Sequence, residues 1–257
     1  MRTHLISQVV LKRFTNDEGL VAQHEKKTGK VTLLPPTDIA FTDIDVKIIE
    51  QSERRWGADI ENHAEKALNT LVNANVLLVP KHANTIKRLM ALHYVRSFAL
   101  LDLMAEAKQK YARQIIENVS SAYPSYRDLV KQKVAEDWPR TVVGSLPKII
   151  GDNVAKVDKF MERHGLEIAH TPQSIKFVIG DIPAITITNK GKMGVPITEA
   201  DSFAMPLTPT HIVALKTDPE SKEYFELTAE QVRAANSKQI QRALEIYYSA
   251  TKDTKDS

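Results

Sequence analysis

Four polar side chains sit where polar side chains are costly. Arg96 lies on a helical stripe with Leu89, Leu92, Ala99, Leu100 and Leu103. An unpaired guanidinium in such company is expensive, so Arg96 requires a carboxylate or an anionic ligand; the protein-internal solution is a pair that ties the helical middle of the chain to a sheet. Asp181 follows the apolar run Phe177-Val178-Ile179-Gly180 and precedes Ile182-Pro183. That is the carboxyl end of a strand, a place for catalytic groups and equally for an Asp that bonds turn amides. Asn236 falls on the inward stripe Val232, Asn236, Ile240, Ala243, Tyr247, and its amide must find partners, either a loop backbone or a substrate. His4, beside the first apolar segment, is a candidate acid/base or ligand, or a satisfied structural group.

Two kinds of protein fit this set. In an enzyme acting on a nucleotide or RNA phosphate, of defence or toxin type, Arg96 would hold the phosphate and His4 would be the acid/base partner. Asp181 would act as base or bind a divalent metal, the one cofactor these residues admit, and Asn236 would orient it. In a non-catalytic interaction or sensor protein, the same four residues form a buried bracing network, and the long helices dock a protein partner or a second copy.

Other constellations are weaker. The eight histidines show no His-Glu-x-x-His and no pair at metal spacing, so a zinc site is not expected. Asp43 and Asp45 read as acidic residues opening a helix. Arg88 and His93 have the Arg-x4-His spacing of helical RNases that build their site at a dimer interface. On an ideal helix that spacing puts them about 140° apart, and the apolar Leu89 follows the Arg.

The elements that must position these residues follow from periodicity. Leu5, Ile6, Val9, Val10 and Phe14 are helically spaced; Leu20–Glu25 and Val31–Leu34 flank a glycine-bearing polar turn and read as a hairpin. From 43 to 75 the pattern is helical, with a bend at Gly57, and Pro80 suits the start of the next helix. Residues 81–122 contain no Pro or Gly and are apolar on nearly every face from Leu89 to Ala105, the mark of a long buried central helix. Shorter helices are expected over 126–137 and 148–164. After Gly165 the runs Ile175–Ile179, Ala184–Thr188 and Ile212–Leu215 are β-rich and short, and a helix over 229–249 opens with the capping-box pair Thr228 and Gln231. The chain therefore reads as α+β: one domain over 1–250, with a helical insert at about 43–164, a small antiparallel sheet and closing helix over 165–250, and a disordered tail at 251–257.

Composition narrows the classes further. The 257 residues are 42% hydrophobic and 26% charged, enough for a core. Nine glycines, with no Gly-x-Gly and no Gly-Lys-Ser/Thr, argue against glycine-built phosphate cradles. The absence of Cys suits a reducing compartment, and neither the start Met1–Leu5 nor the greasiest run, Phe98–Ala105, is an apolar span, so a cytoplasmic protein with no membrane contact is expected. Net charge is +3, but residues 81–140 hold eleven Lys/Arg against six Asp/Glu. That local excess suits a phosphate-bearing small molecule or RNA, and equally a solvated helical face.

With these residues in view, the chain resembles a widespread bacterial family catalogued only as a domain of unknown function. The resemblance rests on five motifs in order: His4-Leu5-Ile6-Ser7 through Leu11 and Phe14; Arg96-Ser97; Phe177-Val178-Ile179-Gly180-Asp181-Ile182-Pro183; Pro206-Leu207-Thr208-Pro209; and Asn236. The family pattern has Pro at Ser7, Pro at Phe98, Ser at Gly180 and Asn at Ile182. The resemblance implies that His4, Arg96, Asp181 and Asn236 converge; it attaches no reaction to them.

Overall fold

The computed structural model describes residues 3–42, 58–71, 77–97, 109, 112–134, 156–172 and 175–252. The architecture is α+β, a helical middle beside antiparallel and mixed sheets. The N-terminal part holds β1 (Thr3–His4), the single helical turn α1 (Gln8–Leu11) running into a 3-10 turn, the hairpin β2 (Val21–Glu25) and β3 (Val31–Leu34), and β4 (Phe41–Thr42). The helical middle holds α2 (Ala58–Leu71) and α3 (Pro80–Arg96), with helical residues at 112–122 (α4), 127–134 (α5) and 156–162 (α6). Then come β5 (Gly165–His170), β6 (Ile179–Gly180), β7 (Ile185–Ile187), β8 (Ser202–Thr208), β9 (His211–Lys216), β10 (Lys222–Glu226), α7 (Ala229–Arg242) and β11 (Ile246–Ser249).

The strands form a five-stranded sheet ordered β10-β5-β9-β8-β7, a four-stranded sheet ordered β3-β2-β11-β6, and the pair β1-β4. All neighbours are antiparallel except β10 on β5. The first hairpin and the last strand thus share one sheet: Tyr247 pairs with His24 on one side and with Gly180 on the other. One continuous apolar core takes Phe14 and Ile39 from the N-terminal part, Leu68 and Leu71 from α2, Ile86 and Leu89 from α3, Phe203 from β8 and Tyr248 from β11.

Three expectations are corrected. The central helix does not run from 81 to 122: it ends at Arg96, and Ser97 turns extended (φ −66°, ψ 143°). The Ser97 hydroxyl donates to the Tyr94 carbonyl at 2.8 Å, the local competition with the helix ladder that a serine offers. The closing helix stops at Arg242, and Ile246–Ser249 is a strand; the Lys26 ammonium takes the Ala243 carbonyl at the helix end, and β-formers Tyr247 and Tyr248 follow. Of the run Ile175–Ile179 only Ile179 lies in a ladder. Pro206 stands within β8, a central strand, at a register shift between Pro206 and Thr208, which is where a sheet admits the missing N–H. The bend at Gly57, helix positions 43–57, 72–75, 98–108, 110–111 and 135–155, and tail residues 253–257 lie outside the described residues.

Candidate functional site

The first polar cluster closes the seam between α2, α3 and the N-terminal segment. The Arg96 side chain is 9% exposed and donates to Glu61 Oε1 on α2 at 2.8 Å. Its Nη1 also lies 3.3 Å from the Ser7 hydroxyl, which itself donates to the same Glu61 oxygen at 2.6 Å. Burial favours the neutral acid at Glu61, but the Arg96 charge and the two hydrogen bonds outweigh it and hold the carboxyl below its usual value. His93 is fully buried. Its Nδ1 contacts the Leu89 carbonyl at 2.7 Å and its Nε2 lies 3.0 Å from the Ser7 backbone N–H. Only a neutral ring protonated on Nδ1 satisfies both, and burial pushes its pKa down to about 4. Arg96 therefore ties two helices to the N-terminal turn, not the helical middle to a sheet.

The second cluster is a lattice around residues 176–183. Asp181 is 8% exposed. Its Oδ1 accepts from the Leu244 N–H at 2.8 Å, and its Oδ2 accepts from Glu245 and Ile246 at 2.9 and 3.0 Å. The Asp181 N–H returns a bond to the Ile246 carbonyl at 2.9 Å. These are the amides released where α7 ends, so one carboxylate redirects the chain from helix into β11. Asn236 accepts from the Val178 N–H at 3.0 Å and donates to the Lys176 carbonyl at 2.8 Å. One turn on, Gln239 accepts from Gly180 N–H at 3.1 Å and donates to the Pro183 carbonyl at 3.0 Å. The two side-chain amides act as rungs of a ladder whose rail is α7. Gly180 suits this approach, because a Cβ there would come within 3.1 Å of both the Ala243 Cβ and the Gln239 carbonyl.

The hydrogen bonds group the candidates by partner rather than by separation. Asp181 and Asn236 share the 176–183 lattice, and Arg96 belongs to the α2–α3 seam. His4 pairs through its backbone with Phe41 in β1-β4, while its side chain lies outside the described residues. A thread joins its segment to Asp181: Leu5 N–H donates to the Ala40 carbonyl at 2.6 Å, the Ala40 backbone bonds the Tyr248 phenol, and burial and then the Asp181 charge raise that phenol well above its ordinary value. Glu61 and Gln239 are partners that the sequence did not mark, while Ser7 stood out only as a departure from the family motif and His93 only beside Arg88. For Gln239 a signal existed: it lies three residues after Asn236, and the buried stripe of α7 runs Val232, Asn236, Gln239, with Ala243 following and Ile240 half-buried. Among the described residues no group of three His, Asp or Glu side chains is placed to hold a metal ion, and none of their helices is long and apolar enough to cross a membrane.

The fold and these clusters define an α+β protein whose interior polar groups bond mainly to its own backbone. The chain belongs to the family described as protein of unknown function (DUF4238), whose model matches residues 2–253. No curated protein and no solved structure matches it.

Proposed function

We propose that the chain is a non-catalytic interaction or sensor protein in which Arg96, Asp181 and Asn236 are bracing groups. The observation that carries this reading is the Asp181 carboxylate, which accepts three backbone N–H bonds at 2.8–3.0 Å. A general base must aim a lone pair at a substrate proton, and a metal ligand must aim one at the ion; three of this carboxylate's roughly four acceptor positions are taken by the chain itself. Asn236 likewise spends both ends of its amide on residues 176–178, and the Arg96 charge is met by Glu61. The phosphate-cleaving alternative places its phosphate holder, base and orienting amide on these same three side chains, and their engagement argues against it. The Arg88–His93 pairing gains no support either, because the His93 ring is turned to Ser7 and Leu89.

Thermal melting tests the reading. Asp181→Asn presents an NH2 to backbone donors and leaves at least one buried N–H unmet, a cost of about 1–3 kcal/mol per group. At about 2–4 °C per kcal/mol for a chain of this size, the expected drop in melting temperature for one unmet group is roughly 2–12 °C. Arg96→Leu is expected to cost less, since Glu61 is 35% exposed and regains water. Both variants melting at or above wild type would mark residues held in strain for function and would overturn the proposal.

A further inference from the structure

A cavity of about 280 Å3 opens between α2 and α3, lined by Ile60 and His63 from α2 and by Lys81, Asn84, Thr85 and Arg88 from α3. We infer that this cleft binds a phosphomonoester, with the phosphate between Lys81 and Arg88. Residues 81, 84, 85 and 88 repeat at the i, i+3, i+4, i+7 spacing, so they form one face of α3. The lining contains two permanent cations, an amide donor and an imidazole, and no carboxylate. Arginine and lysine together make the strong charge-assisted bonds a phosphate accepts. Two of the eleven basic residues of the 81–140 segment, Lys81 and Arg88, are placed here.

The rest of the cleft sets the ligand's size and shape. Ile60 is 1% exposed and gives an apolar floor. The Thr85 hydroxyl donates to the Lys81 carbonyl at 2.9 Å, so its oxygen faces a ligand as an acceptor, suited to a sugar hydroxyl. Ligand pockets run from about 300 Å3 upward, so this one holds a phosphate and a sugar-sized attachment, not a polyphosphate chain or a folded nucleic acid. From α6, Asp158 lies within reach of the Arg88 charge, with Glu162 beside it. Both carboxylates oppose an incoming anion, and Asp158 competes with it for Arg88.

The inference rests on the non-catalytic reading only in expecting no turnover. Calorimetric titration of the full chain tests it, using inorganic phosphate, ribose 5-phosphate, and a short RNA with and without a 5′-phosphate. Ribose 5-phosphate is expected to bind, with Lys81→Ala and Arg88→Ala each weakening it about tenfold or more, Asp158→Asn tightening it several-fold, and Lys66→Ala, on the exposed side of α2, leaving it unchanged. Melting curves confirm that each variant is folded. RNA bound only when it carries the 5′-phosphate supports the site and names a terminal phosphate as its source. Absence of binding by the folded protein, equal weakening in Lys66→Ala, or RNA bound equally with and without that phosphate overturns it. Hydrolysis of the bound ester would leave the cleft standing and remove the non-catalytic reading; no binding would remove the cleft and leave the bracing network untouched.

Discussion

At the scale of single residues, the neutral state of His93 is a stability element with a defined pH window. Folded, its pKa is depressed to about 4; unfolded, it returns to about 6.5. Between these values the unfolded chain binds a proton that the native chain refuses, so stability rises with pH across the window. The contribution is complete above about pH 6.5 and is lost progressively as pH falls to about 4, amounting to about 3 kcal/mol over that 2.5-unit span. His211, lowered to about 4 by burial and by the charge of His170, acts in the same direction. Urea unfolding at a series of pH values from 7 to 4 is expected to show falling stability, with a shallower slope in His93→Gln. A wild-type curve flat across that range would contradict a buried neutral ring. Arg96 illustrates the same physics from the other sign: the sequence demanded a counter-charge, and the fold supplies Glu61 from a helix 35 positions away.

At the scale of elements, α7 works as a rail for the segment 176–183. Asn236 and Gln239 each satisfy one backbone N–H and one carbonyl of that segment. Asn236→Leu and Gln239→Leu are therefore each expected to cost about 2 kcal/mol in equilibrium unfolding, the price of two unmet buried groups partly relaxed. Because both rungs hold one segment, the double variant is expected to lose less than the sum; strict additivity would mean the rungs act independently. Much of this was legible in the sequence. The hairpin of β2 and β3, the Pro80 helix start and the Thr228–Gln231 capping box, whose two bonds measure 3.3 and 2.8 Å, all express local rules. The stop at Ser97 and the strand at Ile246–Ser249 were not legible. Both are decided by a partner distant in sequence or by a single hydroxyl competing for a carbonyl, and periodicity reports neither. The β8 strand was hidden by Pro206, and β10, Lys-Glu-Tyr-Phe-Glu, by its polarity; it is an edge strand with mostly exposed side chains. For the candidate residues, the sequence marked the expensive polar positions Arg96, Asp181 and Asn236. It could not mark the acceptors and donors they meet, because backbone groups carry no residue identity.

At the scale of the whole molecule, chain closure and the Asp181 carboxylate are one event. Strand β11 sits between β2 from the start of the chain and β6 from its second half, and it begins where Asp181 gathers three consecutive amides. Tyr248, 1% exposed, carries that closure into the core and toward Ala40 and the β1-β4 pair. The α2–α3 seam held by Arg96 and Glu61 shares the same apolar core as this closure, and the cleft proposed above opens on the same helix pair. Asp181 holds three consecutive backbone amides in place. Amide hydrogen exchange at Leu244, Glu245 and Ile246 in wild type and Asp181→Asn tests it most directly. Strong protection is expected in wild type, with a large, selective loss at these three amides in the variant; weak protection in wild type, or rates unchanged by the substitution, would mean that the carboxylate does not hold them.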